Sequence, residues 1–164
     1  MARIIRLIGE VDADMYKGFA ESLEQAERVG KPITIEITSI GGSAEIGLAI
    51  YTKLIQSPLE ITTICYGMAY SSASLIFLAG KHRIMTAEAW IMLHQSSPEV
   101  SNKLTSAAMR DIKHQARCEE QWCRLFAHRT KMTYAKAYEL HEKETYLNAD
   151  ECLNYGICTK KASK

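Results

Sequence analysis

At 164 residues the chain is long enough for one well-buried core and too short for two ordinary domains, so a single domain over 1–164 is expected. Its 20 Lys and Arg against 19 Asp and Glu leave a net charge of +1, which carries no electrostatic signature of nucleic acid or of an anionic membrane surface. Partners of such a chain are recognised by shape and apolar contact.

The run RIIRLIGEV reads as a first strand, and from Asp14 the apolar positions Met15, Phe19, Leu23 and Ala26 fall at helical spacing until Gly30 offers a C-cap. KPITIEITS alternates Ile33, Ile35 and Ile37 with polar residues. After Gly41 and Gly42, SAEIGLAIYTKLIQ returns to helical period through Ile46, Ala49, Ile50 and Leu54. LEITTICYG is a third strand, SASLIFLAG a short apolar helix ending at Gly80, and HRIMT and AWIMLHQ two further short strands. Strands alternating with helices at this rhythm predict an α/β fold with right-handed crossovers around a mainly parallel sheet. Ligand sites in such sheets sit at the carboxyl ends of strands, where these Gly and Ser turns fall.

The last third differs. A long helix from Leu104 to about Arg129 carries Leu104, Ala108, Ile112, Trp122 and Phe126 on one stripe, flanked by Met109, Cys118 and Leu125. Following the polar SSPEVSNK, it is expected to project from the globule and to pack against another subunit, with Trp122 and Phe126 at that oligomer interface. Two shorter helices, near Tyr134 to Glu142 and Asn148 to Tyr155, close the chain; there is no internal repeat or low-complexity tract.

Five cysteines, Cys65, Cys118, Cys123, Cys152 and Cys158, form an odd set without paired C-x-x-C spacing, and read as buried or incidental thiols of a reducing compartment. The opening MARIIRLIGEVDAD reaches Glu10 and Asp12 too soon for a signal peptide, and no apolar run approaches transmembrane length. A cytoplasmic protein is expected. His82, His114, His128 and His141 have no carboxylate or cysteine at ligand spacing, so they read as surface residues and no metal is predicted.

Three separated segments have the makings of a chemical site. A serine is a useful nucleophile only when a base takes its proton and fixed donors receive the developing oxyanion. Gly41-Gly42 can turn backbone N–H groups toward a carbonyl. Ser71 opens the short apolar helix, where the N–H of Ser72 has no helical partner, and His94 ends the strand WIMLH at the same edge of the sheet. Taken singly, a Gly-Gly turn, small residues before a helix and a histidine at a strand end are usually structural. Their combination, in this order, is more specific.

Together these segments resemble the ClpP family, the proteolytic subunits of the Clp protease and the serine peptidase branch of the crotonase-like folds. ITSIGGSAEIGLAIYTKL is similar to that family's I-N-S-P-G-G-x-x-x-x-G-x-x-I-Y segment, with Ile40 in place of proline. TICYGMAYSSASLIFLAG is similar to T-I-C-x-G-x-A-A-S-M-x-A-x-x-L-x-A-G, and WIMLHQSS to R-x-M-I-H-Q-P. The resemblance runs from about Arg3 to Gly156. It implies a nucleophile at Ser71, a base at His94 and oxyanion donors in the N–H groups of Gly42 and Ser72; Ser74, three positions after Ser71 on the same short helix, reads as packing against the sheet. The 29 positions from Gly42 to Ser71 fit the family, whereas the 23 from Ser71 to His94 are slightly short, the deficit falling in GKHRIMTAEA.

The same resemblance implies a projecting handle at about 96–130, a head formed by about 1–95 and 131–164, homo-oligomeric rings that stack as heptamers in the family, an AAA+ unfoldase partner, unfolded polypeptide substrates and no cofactor. The expected activity is a serine endopeptidase working inside a closed chamber, or a phage-type maturation protease. Two departures stand out. KETYLNADECLNYGI matches the family's R-D-x-x-x-(S/T)-A-x-E-A-x-x-Y-G-(L/I), so Glu144 stands where aspartate normally completes the triad. Glutamate can orient an imidazole, yet Glu144 could equally be a solvated acid, with Glu142 or no carboxylate serving His94. The first strand begins at about Arg3, without the twenty or so residues that precede it in bacterial members, which leaves the unfoldase open. Competing readings are a non-catalytic ring subunit and, on the same fold, an acyl-CoA enzyme of the crotonase type.

Overall fold

The computed structural model describes residues 3–95 and 106–162. The predicted helix start at Leu104 and the segment SSPEVSNK lie outside the described residues. Three strand–helix units come first. They are β1 (Arg3–Val11) and α1 (Ala13–Val29), β2 (Ile33–Gly42) and α2 (Ala44–Gln56), then β3 (Ile61–Tyr70) and α3 (Ser72–Leu78). There follow β4 (His82–Met85), β5 (Trp90–Leu93), α4 (Ser106–Arg129), α5 (Tyr134–Glu142), β6 (Thr145–Asn148), α6 (Ala149–Tyr155) and β7 (Lys160–Lys161).

Local chemistry sets these limits. Asp12 caps α1 by accepting the Met15 N–H at 2.8 Å, and Gly30, in the left-handed region, ends it. In β2 the residues Ile33, Ile35, Ile37 and Ser39 are buried while Thr34, Glu36 and Thr38 lie on the more open face, as a strand period of two requires. All seven residues of α3 are buried, since that helix packs against α2, α4, β2, β3 and β5. An almost wholly apolar sequence is what such a central helix needs.

The sheet runs β1-β2-β3-β4-β7, parallel throughout, with β5 beside β3 and an antiparallel β6 beside β5. Strand β3 serves two ladders. Thr62 to Cys65 pair with β4, Met68 to Tyr70 pair with β5, and Gly67 stands between them at φ +76°. The register against β2 shifts at the same point, from Ile37↔Cys65 to Ser39↔Ala69, so β3 carries two extra residues there. This irregularity brings the ends of β2, β3 and β5 together at one edge.

Helix α4 divides along its length. Met109 and Ile112 are 47% and 39% exposed, whereas Trp122 (9%) and Phe126 (0%) belong to the chain's own core, against α3 and α5. The expectation that Trp122 and Phe126 face another subunit is therefore corrected, because the part of the helix nearest the globule is covered by its own neighbours.

Two arginines fasten the far side. Arg83, 8% exposed, donates to the carbonyls of Ile157, Gly80, Arg129 and Gly156, and Arg129 donates to those of Leu78, Ala79 and Gly80. These carbonyls lie at the ends of α3, α4 and α6, so the guanidinium groups satisfy acceptors at three helix C-termini.

Candidate active site

Ser71 sits at the turn between β3 and α3 with φ +51° and ψ −124°, a region that non-glycine residues rarely adopt. Its surroundings hold it there. Its N–H donates to the Met92 carbonyl at 2.9 Å, and its own carbonyl accepts the Ser74 N–H at 2.9 Å and the Ser74 hydroxyl at 2.6 Å. Ser74 thus packs inside and buttresses the turn. His94 follows β5 directly, and its Nε2 lies 2.8 Å from Ser71 Oγ. A neutral imidazole with its proton on Nδ1 can take the serine proton across that distance.

The glycines reach the same place through close approach. A Cβ on Gly41 would lie 2.6 Å from the Tyr70 carbonyl oxygen and 2.7 Å from Ser71 Cβ, and one on Gly47 would lie 2.7 Å from Ser72 Cβ. Only glycine lets the end of β2 and the first turn of α2 rest on Ser71 and Ser72. The Gly41 N–H is taken by Ser39 Oγ at 3.1 Å, and Gly42 follows at φ +151°, where a Cβ would lie 2.5 Å from the Val11 carbonyl oxygen. A cavity of about 450 Å³ opens from Gly42 between α2 and α4, floored by Ala44, Leu48, Cys118 and Trp122. A larger one, about 540 Å³, lies along β1 and α1 and is lined by none of the candidate site residues.

Glu144 is joined to this edge through its backbone. The antiparallel ladder ends at Leu93↔Thr145, which makes His94 and Glu144 the next pair in register. There the chain turns away at Glu144 (φ +48°), whose N–H donates to the His141 carbonyl at 3.3 Å while its side chain is exposed. Among the described residues no hydrogen bond joins its carboxylate to His94, and Glu142 is exposed as well.

His141 departs from its expected place on the surface. It is 1% exposed, set edge-to-face on Phe126 at 4.9 Å, and burial pushes its pKa below the ordinary 6.5. The signal was available, since Ala137, Leu140 and His141 share the buried face of α5. His114 lies 3.6 Å from Cys118 at i, i+4 on α4, which corrects the expectation that it has no cysteine at ligand spacing. No group of three or more metal-ligating side chains is assembled among the described residues. Cys65, Cys123, Cys152 and Cys158 are buried, and desolvation raises their thiols, Cys65 to about 12 and Cys123 to about 11. No helix of the described residues is long and apolar enough to cross a membrane.

The parallel strand–helix architecture with a serine and a histidine meeting at one strand edge defines a class, the ClpP/crotonase-like α/β proteins. A family model for Clp protease matches residues 1–162, and the chain belongs to that family and is a ClpP-type peptidase. It is 31% identical over 134 residues to the ATP-dependent Clp protease proteolytic subunit 2 of Prochlorococcus marinus, a match covering 80% of this chain and 67% of that protein. Against the ATP-dependent Clp protease proteolytic subunit of Chlorella vulgaris the figures are 32% over 140 residues, 84% and 69%. Among solved structures, a mutant ClpP1 from Listeria monocytogenes has a TM-score of 0.90, covering 99% of this chain and 92% of that one at 24% identity, a likeness of fold.

Proposed function

We propose that the chain is a serine endopeptidase in which Ser71 attacks a peptide carbonyl and His94 takes its proton, later returning it to the leaving amine. The observation that carries this reading is the 2.8 Å approach of His94 Nε2 to Ser71 Oγ at a strained strand-to-helix turn. An acyl-enzyme forms, water releases it, and the N–H groups of Gly42 and Ser72 receive the oxyanion. Support for those donors is the close approach of Gly41, the residue before Gly42, to Ser71 and to the Ser72 nitrogen. Glu144 completes the triad by orienting His94, on the strength of its register opposite the base. The cavity beside Gly42 takes a substrate side chain next to the reacting carbonyl.

The assembly follows the same reading. Helix α4 serves as a handle on a head formed by the other described elements, the handle's expected start near residue 96 lying outside the described residues; copies join in stacked rings, the exposed Met109 and Ile112 on α4 meeting a neighbouring subunit. Unfolded polypeptides, passed on by an AAA+ unfoldase, are the substrates, and five free cysteines suit a cytoplasmic setting. The exposed Glu144 side chain favours one second reading, a ring subunit that keeps the fold for assembly without turnover. Labelling with a fluorophosphonate probe separates the two. The wild-type protein should label at Ser71 and the Ser71→Ala variant should not; an unreactive wild type points to the structural subunit, and a labelled variant removes Ser71 as nucleophile.

A further inference from the structure

Among the described residues two buried side-chain polar atoms lack a hydrogen-bond partner, Ser72 Oγ and His141 Nε2. A hydroxyl can rotate to find a partner, but the His141 ring is fixed by its other contacts. Its Nδ1 is 2.7 Å from the Ala137 carbonyl oxygen, which can only accept, so Nδ1 carries the proton and the lone pair lies on Nε2. Burial keeps the ring neutral at pH 7. The Ala137 bond and the charge of Glu119 on α4 pull the other way, and the charge of His94 adds to the effect of burial. A buried acceptor left empty costs free energy that a leucine at the same position would avoid.

The backbone of the same residue lies at the junction of the site. The His141 carbonyl accepts both the Gln95 N–H at 3.1 Å and the Glu144 N–H at 3.3 Å. The peptide that follows His94 and the residue at the family's acid position are thus tied to one carbonyl, while the Glu144 carboxylate stays in solvent.

Resting on the Ser71–His94 reading above, we propose that His141 is a positioning residue: its Nε2 accepts the Nδ1–H of His94 when that ring holds the serine proton, and so keeps His94 Nε2 facing Ser71. No proton passes to His141. A neutral acceptor fixes the tautomer and ring plane through the one Nδ1–H of His94, which leaves the exposed Glu144 to act on the imidazolium by its charge alone.

Two substitutions separate this role from a purely structural one. His141→Asn keeps a donor near the Nδ1 position for the Ala137 carbonyl and deletes the acceptor, whereas His141→Gln can set an amide oxygen where Nε2 lies. With active sites counted by fluorophosphonate titration of the full-length protein, His141→Asn is expected to lower kcat on a fluorogenic peptide by about tenfold or more at unchanged KM, and His141→Gln to stay within about threefold of wild type. Wild-type kcat in His141→Asn, or equal losses in both variants, overturns the proposal. Should neither variant fold, the wild-type protein decides. With histidine ¹⁵N-labelled and Ser71 phosphonylated, a nitrogen–nitrogen coupling from His94 Nδ1 to His141 Nε2 is expected, and its absence is the contrary result. Failure of the wild-type protein to label at Ser71 sinks the peptidase reading; a labelled wild type with an unimpaired His141→Asn sinks this proposal alone.

Discussion

Ser71 occupies a backbone conformation that costs an L-residue about 1–3 kcal/mol. Its hydrogen bonds to Met92 and Ser74 oppose relaxation and keep Oγ aimed at His94. Glycine pays no such penalty, so Ser71→Gly should unfold at higher denaturant than Ser71→Ala by about 1 kcal/mol while being equally inactive; equal midpoints would mean that the turn is relaxed. His141 makes a second test at this scale. Burial lowers its pKa below the unfolded value of 6.5, so below that value the unfolded chain binds more protons than the folded one. Its contribution to stability is therefore complete above pH 6.5 and is lost as pH falls through the folded pKa. Thermal unfolding from pH 7.5 to 5 should show a decline in wild type that is shallower in His141→Asn, and parallel curves would contradict it.

At the scale of elements, the join between β3 and α3 depends on glycines that no side chain can replace. Gly41→Ala would drive a methyl to 2.6 Å from the Tyr70 carbonyl oxygen at a φ of +88°, so a loss of more than about 2 kcal/mol and of Ser71 labelling is expected in denaturation and probe assays. Much of this architecture was legible in the sequence. The alternation of Ile33, Ile35 and Ile37, the helical spacing of Phe19, Leu23 and Ala26, and the closing Gly30 each record a physical constraint locally. The continuation of β3 through Gly67 to Tyr70 was not legible, because the strand persists there by changing partner from β4 to β5. Likewise β6 and β7, of four and two residues, are too short to show a period and owe their existence to β5 and β4. In the candidate site, motif order drew attention to Ser71 and His94. The burial of His141 escaped because a polar residue on an apolar face reads as an exception until its neighbours are known.

For the whole molecule, the division of α4 leaves Met109 and Ile112 as its exposed apolar positions, and the proposed assembly rests on them. Glutamate at both positions should shift the native mass toward smaller species without lowering the unfolding temperature of the head; an unchanged mass would remove that face from the interface. The two arginines that hold helix ends, Arg83 buried and Arg129 half-buried, bear on a different property. Arg83 and Arg129 are held by carbonyl oxygens, not carboxylates, and a peptide carbonyl does not titrate in mild acid. A surface pair such as Lys81–Glu60 dissolves as its carboxylate protonates, but this corner keeps its charge and all its acceptors. Acid should therefore loosen the molecule unevenly. The helix ends gathered around Arg83 would form its last ordered nucleus, with slow amide exchange surviving at Ile157 and Ala79 after the β1 side has opened.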